Sequence, residues 1–227
     1  MSNDISFKMK VNIVDAAAFD KIKGGVNIDW KPPHKIISKY KEWADLGLSS
    51  LIKRQDFVVA DEFRTTNVRT CFGFGTMNKE CCISNGGHYL DDKENYKNIL
   101  DYIKLIFKSN PNPDSAFAIG GKNLLNNEYS LPNMNFFLDI FKLKIPNLTC
   151  FCEHKLPYSE TDFHYSLKDD VLTICTTYNT QPTANEYNIS TPEEINMCYR
   201  KVHLADGDEL YINGKEVDAK QFKTDNI

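Results

Sequence analysis

Thr65, Cys71 and His88 stand within the run FRTTNVRTCFGFGTMNKECCISNGGHYLDD, the cysteine six residues after the threonine and seventeen before the histidine. These are the residue types of an orienting hydroxyl, a thiol nucleophile and its base. An unperturbed cysteine thiol has a pKa of about 8.5 and is mostly protonated near neutrality, so it needs an imidazole to take its proton. The imidazole needs an acceptor for its second ring nitrogen, and a hydroxyl or a backbone carbonyl can take the place of a carboxylate. Attack on an amide also builds negative charge on oxygen, and Gly73 and Gly75 leave the backbone near Cys71 open to donate N–H groups to it. Against this stands the ordinary fate of a free cysteine, which is to fill a core as a small apolar side chain. Whether His88 faces Cys71 decides between the two.

The elements around these residues are short and mixed. Phe57-Val58-Val59 and Val68 to Gly75 have strand character, Cys81 to Ser84 is short and apolar, and Asn85-Gly86-Gly87 predicts a turn leading into His88-Tyr89-Leu90. A strand carrying Cys71 and a strand carrying His88 are thus close enough in sequence to pair antiparallel. Asp91-Asp92 caps a predicted helix over Asn95 to Lys108, which Pro111 and Pro113 end. A buried strand at Ala116 to Ile119 breaks at Gly120-Gly121, a second helix covers Asn133 to Lys144, and another strand runs from Leu148 to His154. Alternation through Phe163 and Tyr165, a turn at Lys168-Asp169-Asp170 and alternation through Val171, Thr173, Cys175 and Thr177 predict a hairpin. Asn213-Gly214, flanked by Tyr211-Ile212 and Lys215 to Val217, predicts a second one with a type I′ turn.

Residues 1–55 differ in character. They hold breaks at Gly24-Gly25 and Pro32-Pro33 and a helical pattern in KIISKYKEWADLGLSSLIK, and they read as an N-terminal helical extension packed on a core domain of residues 56–227. At 227 residues the chain can bury a sizeable core, and 41% hydrophobic residues with 12% aromatics is ordinary for a globular protein. A net charge of −4 offers no basic field for nucleic acid or an anionic membrane. No apolar run suffices to span a bilayer, and the start lacks the apolar core of a secretory signal. Seven cysteines, an odd number with two adjacent, point to reduced thiols in a reducing cytosol.

Other constellations compete with the first. Cys150, Cys152 and His154 alternate along one predicted strand and, with Cys175 or His164, could surround a metal, although buried thiols are the default reading and no metal is expected. Cys81-Cys82 would place one thiol on each face of a sheet. His34, His164 and His203 have no partner pattern and read as structural or surface residues.

The order of these pieces resembles the CheD family of chemoreceptor glutamine deamidases. Thr65, Cys71 and His88 after a Gly-Gly, an acidic start to an amphipathic helix, the strand AFAIGGKNLL ending in Gly-Gly, a second helix and the strand LTCFCEH follow that family's order over about residues 57–178. The family shares its catalytic fold with the cytotoxic necrotizing factor and Burkholderia lethal factor, toxins that deamidate a glutamine of a host protein. The resemblance implies an α/β (α+β) fold, a mixed-sheet α/β/α sandwich, with Cys71 as nucleophile, His88 as base and Thr65 as orienting group. It implies a cysteine-dependent protein glutamine deamidase, a toxin or effector acting in a host cytosol after secretion, with a cytoplasmic chemoreceptor-type deamidase as one alternative and a non-catalytic binding module as another. No cofactor is needed, and the expected partner is a protein bearing the target glutamine, met by a monomer without nucleic acid or membrane. The extension and the Thr-, Asn- and Pro-containing loop from about Asn179 to Pro192 are candidates for target recognition.

Overall fold

The computed structural model describes residues 8–28, 56–69, 71–89, 99–122, 130–156, 158–179 and 186–222. The helical pattern over residues 35–53, His34, the Asp91-Asp92 cap and the first residues of the Asn95 to Lys108 helix lie outside these.

Two mixed sheets and four helices make up the described residues. The larger sheet contains β1 (Lys10–Ile13), β2 (Val26–Ile28), β4 (Glu62–Val68), β9 (Glu160–Ser166), β10 (Val171–Asn179), β11 (Glu186–Asn188), β13 (Glu209–Ile212) and β14 (Lys215–Val217). Its order is β14-β13-β1-β10-β9-β4-β2, with β11 also pairing β10. The smaller sheet contains β3 (Asp56–Val59), β5 (Phe72–Asn78), β6 (Ile83–Tyr89), β7 (Ser115–Lys122), β8 (Asn147–His154) and β12 (Tyr199–His203), in the order β12-β8-β7-β5-β6-β3. The helices are α1 (Ala16–Phe19), α2 (Ile99–Ser109), α3 (Ser130–Lys144) and α4 (Pro192–Cys198).

The layering follows from which strands are apolar on one face and which on both. In β9, Phe163 and Tyr165 join Phe63 of β4 and Leu172 and Ile174 of β10 in a core shared with Phe117, Ile119 and Phe151 of the smaller sheet. The alternate residues of β7 and β8, Ala116, Ala118, Cys150 and Cys152, face the other way and pack with Tyr102, Ile103 and Ile106 of α2 and Phe137 and Phe141 of α3. Strands apolar on both faces belong in a middle layer. The smaller sheet therefore lies between a helical layer and the larger sheet. The sequence reading of an α/β/α sandwich holds at the level of a mixed α+β fold and needs correcting in its layers, because a second sheet covers the face where helices were expected.

Three local expectations also change. Asn85-Gly86-Gly87 is not a turn but the middle of β6; the turn lies at residues 79–82, where Cys82 has φ 53°. The glycines are there because rings press on both faces of the strand: a Cβ on Gly86 would lie 2.2 Å from Cε2 of Phe63, and one on Gly87 2.4 Å from the hydroxyl of Tyr102. The N-terminal residues 10–13 and 26–28 do not form a separate layer. β1 sits between β10 and β13 and pairs parallel with both, while β2 pairs parallel with β4. The chain on either side of residue 55 thus shares one sheet. The predicted hairpins at β9–β10 and β13–β14 are present, the latter with positive φ at both Asn213 (47°) and Gly214 (77°), as a type I′ turn requires. Part of the expected loop after Asn179 is strand β11.

Candidate active site

β4 ends in the larger sheet and β5 begins in the smaller one, and Cys71 stands in the bend between them, directly before Phe72. The thiol is thus at the head of a strand rather than inside it. β5 and β6 pair antiparallel with Gly73 opposite His88. Facing residues of such a pair share a side, and so do residues two apart, so Cys71, Gly73 and His88 all point into the space between the sheets. Thr65 projects into the same space from β4, on the side of Phe63. The three residues that the sequence suggested are therefore brought together from two sheets and the bend that joins them.

The distances form a relay. Nε2 of His88 lies 2.6 Å from Sγ of Cys71, and Nδ1 of the same ring lies 2.8 Å from Oγ1 of Thr65. Oγ1 of Thr65 also lies 2.7 Å from the carbonyl oxygen of Ile28. That last contact determines the direction of the others. A carbonyl only accepts, so the single hydroxyl proton of Thr65 goes to Ile28, and the hydroxyl lone pair is left to accept from Nδ1–H of His88. A neutral ring protonated on Nδ1 has a bare Nε2, and the bare nitrogen faces the thiol. The arrangement is poised for proton transfer from sulfur to imidazole, after which the imidazolium keeps its Nδ1–H bond to Thr65. All three side chains are buried, Thr65 completely, His88 at 3% and Cys71 at 5% exposure.

The backbone holds the thiol from two further sides. Gly121 donates its N–H to the carbonyl of Cys71 at 2.8 Å, from the end of β7 where Gly120 and Gly121 have φ of 89° and 77°. A Cβ on Gly120 would lie 2.3 Å from Cγ1 of Val68 and 3.1 Å from the Cys71 carbonyl oxygen, so only glycine fits there. Sγ of Cys71 also lies 3.8 Å from the carbonyl oxygen of Asn67, too far to compete with Nε2 of His88 for the single thiol proton. Asn67 has φ 60° and lies where the β4–β9 register shifts between Thr65 and Val68. This bulge turns Val68 inward, where it is fully buried, and the chain then crosses to the other sheet.

Gly73 and Gly75 do not serve as oxyanion donors in the way their sequence position suggests. Both lie in β5 with β6 on one side and β7 on the other, so their N–H groups belong to the sheet ladders. Their role is steric, since a Cβ on Gly73 would lie 2.2 Å from Cε1 of Phe163.

The competing constellations come apart. Cys150 and Cys152 face α2 and α3, but Glu153 has φ 64°, and His154 beyond it turns to the opposite side, with Nε2 3.0 Å from Oγ1 of Thr161. His164 and Cys175 alternate with the inward-facing Phe163, Tyr165 and Ile174 and so lie on the outer face of the larger sheet, where His164 meets Glu62 at 2.9 Å. Cys81 and Cys82 are both exposed in the turn before β6, rather than one being buried. His203 is exposed, and partial desolvation of its ring lowers its pKa.

Three contributors escaped the sequence reading: the Ile28 carbonyl, the Asn67 bulge and the Gly121 N–H. A backbone carbonyl leaves no trace in sequence. The bulge left a faint one, since asparagine tolerates positive φ better than the β-branched residues around it. No protein-family model matches the chain, and no curated protein matches it.

Proposed function

We propose that the chain is a cysteine-dependent protein glutamine deamidase. The observation that carries this reading is the contact of 2.6 Å between Sγ of Cys71 and Nε2 of His88, in a ring whose other nitrogen is held by Thr65. Isolated core cysteines need no such partner.

In the proposed reaction His88 takes the thiol proton and the Cys71 thiolate attacks the carboxamide carbon of a glutamine side chain, forming a C–S bond and moving the carbonyl electron pair onto oxygen. Collapse of this tetrahedral species breaks the C–N bond, and the imidazolium Nε2–H protonates the departing nitrogen, which leaves as ammonia. A water then attacks the thioester while His88 accepts its proton, the C–S bond breaks, and the target keeps a carboxylate. Each turnover replaces a neutral side chain by a negative one. Every step uses groups of this chain, the amide and water. The resemblance to the toxin deamidases makes a host protein the proposed target, and the chemoreceptor-type enzyme is the same chemistry on another substrate.

A second reading has one observation in its favour. Cys71, at 5% exposure, is nearly as buried as Cys175 at 3%, as expected of a binding module whose cysteines only fill space. Incubating the protein with a eukaryotic cell lysate and with a bacterial one, and mapping glutamine-to-glutamate conversion by mass spectrometry, separates the readings. The deamidase converts specific glutamines in one of them and Cys71→Ala converts none; conversion that persists in Cys71→Ala removes the cysteine mechanism.

A further inference from the structure

The bend that carries Cys71 hangs from the bulge at Thr66-Asn67, and the bulge is closed by a side chain. Between Thr65↔Phe163 and Val68↔Thr161 the two residues Thr66 and Asn67 stand against one, Asp162. The extra residue costs Asn67 its ladder partner, and Oδ1 of Asp162 accepts its N–H at 2.7 Å instead. The carbonyl of the same Asn67 faces the Cys71 thiol at 3.8 Å. One residue, held at φ 60°, thus connects the Asp162 carboxylate to the nucleophile.

Resting on the deamidase reading and deepening it, we infer that Asp162 is a positioning residue: its carboxylate clamps the Asn67 bulge, and through it holds Cys71 against His88. Burial raises Asp162 from its ordinary 3.8 to about 6, opposed by the Asn67 N–H bond. The groups around it are Glu160 and His164 on β9, Arg64 on β4, Asp20 behind α1, and Cys175, its partner on β10. Arg69 is taken up by Glu160, and His164 by Glu62. Loss of the negative charge weakens the acceptor that closes the bulge, so activation of the thiol falls as pH drops through about 6.

The test is the rate of Cys71 alkylation by iodoacetamide in the full-length protein, mapped by mass spectrometry from pH 5 to 8, in wild type, Asp162→Ala and Asp162→Asn. Alanine offers no acceptor and is expected to slow alkylation about tenfold or more at pH 7.5, the scale on which small misplacements of a reacting group act. Asparagine still offers a carbonyl oxygen and is expected to stay within about threefold of wild type there, but to lose the inflection near pH 6. A wild-type rate in Asp162→Ala, or an unaltered pH profile in Asp162→Asn, overturns the inference. If the alanine variant does not show a native melting transition, the profile of the asparagine variant decides alone. A wild-type Cys71 that labels no faster than Cys175 overturns this inference and the deamidase reading together, whereas a reactive Cys71 in a protein that deamidates nothing removes only the latter.

Discussion

Replacing Thr65 by valine is the most direct test of the relay, because it removes one oxygen and nearly nothing else. The side chain is completely buried and its hydroxyl sits 2.7 Å from the Ile28 carbonyl and 2.8 Å from Nδ1 of His88. In Thr65→Val the carbonyl loses its donor and the ring its acceptor, and no water reaches either freely. Leaving a buried polar group unpaired costs about 1–3 kcal/mol, so two such groups should lower unfolding stability by about 2–6 kcal/mol, read as a fall in urea midpoint. The effect on the thiol is separate. A hydrogen bond to the charged imidazolium contributes about 1.5–3 kcal/mol, and its loss should slow iodoacetamide alkylation of Cys71 about 10- to 150-fold at neutral pH. The ring is also freed to take the other tautomer, with the proton on Nε2 and no lone pair toward sulfur. Thr65→Ser keeps the hydroxyl and loses a methyl group, costing about 1 kcal/mol of stability while retaining most of the alkylation rate. If Thr65→Val labels Cys71 as fast as wild type while Thr65→Ser melts normally, Thr65 does not orient His88 and the relay is wrong.

Further outcomes follow from the same structure. Gly86→Ala and Gly214→Ala change the same atoms for different reasons: the first puts a Cβ 2.2 Å from the buried Phe63 ring and is expected to cost about 3 kcal/mol or to prevent folding, while the second meets nothing within 4 Å and costs only the strain of φ 77°, about 1 kcal/mol, both measured by urea unfolding. Asp162, raised to about 6 in the folded chain, gives stability that is present below its ordinary 3.8 and is lost as pH climbs toward about 6. The melting temperatures of wild type and Asp162→Asn should therefore lie close near about pH 4 and diverge in favour of the variant above about pH 6; a gap that does not change with pH contradicts the raised value. Tyr199→Phe removes a buried hydroxyl bonded to Thr161 and Thr176 and should lower unfolding stability by about 1–2 kcal/mol without changing Cys71 alkylation.

Much of the local structure was legible along the chain, in ways that particular residues explain. The alternation through Phe163 and Tyr165 could only serve a strand with one apolar face, and Asn213-Gly214 could only serve a turn that needs positive φ twice. The expected strand at Leu148 to His154 and the helix at Asn133 to Lys144 have matching elements in β8 and α3. Errors arose where a residue's reason for being there lay on another element. Gly86-Gly87 has the composition of a turn, yet these glycines make room for Phe63 and Tyr102, which come from a different sheet and a helix. Cys150, Cys152 and His154 have the spacing of one sheet face, yet the positive φ of Glu153 divides them.

For the candidate site the division is sharper. Residue types and spacing alone determined the three side chains to consider, Thr65, Cys71 and His88, because few groups can act as nucleophile, base and orienting hydroxyl, and because short connections keep them near one another. Only the tertiary structure decided that they meet. A strand's side chains change face with every residue, so the sequence could not say which way His88 points until the register of β5 on β6 placed it opposite Gly73. Nor could it say that the ring's proton sits on Nδ1, since that depends on the Ile28 carbonyl, a backbone atom delivered by β2 from thirty-seven residues before Thr65. Side-chain chemistry is written residue by residue, while the direction of a hydrogen bond is settled by the partners that packing brings to it.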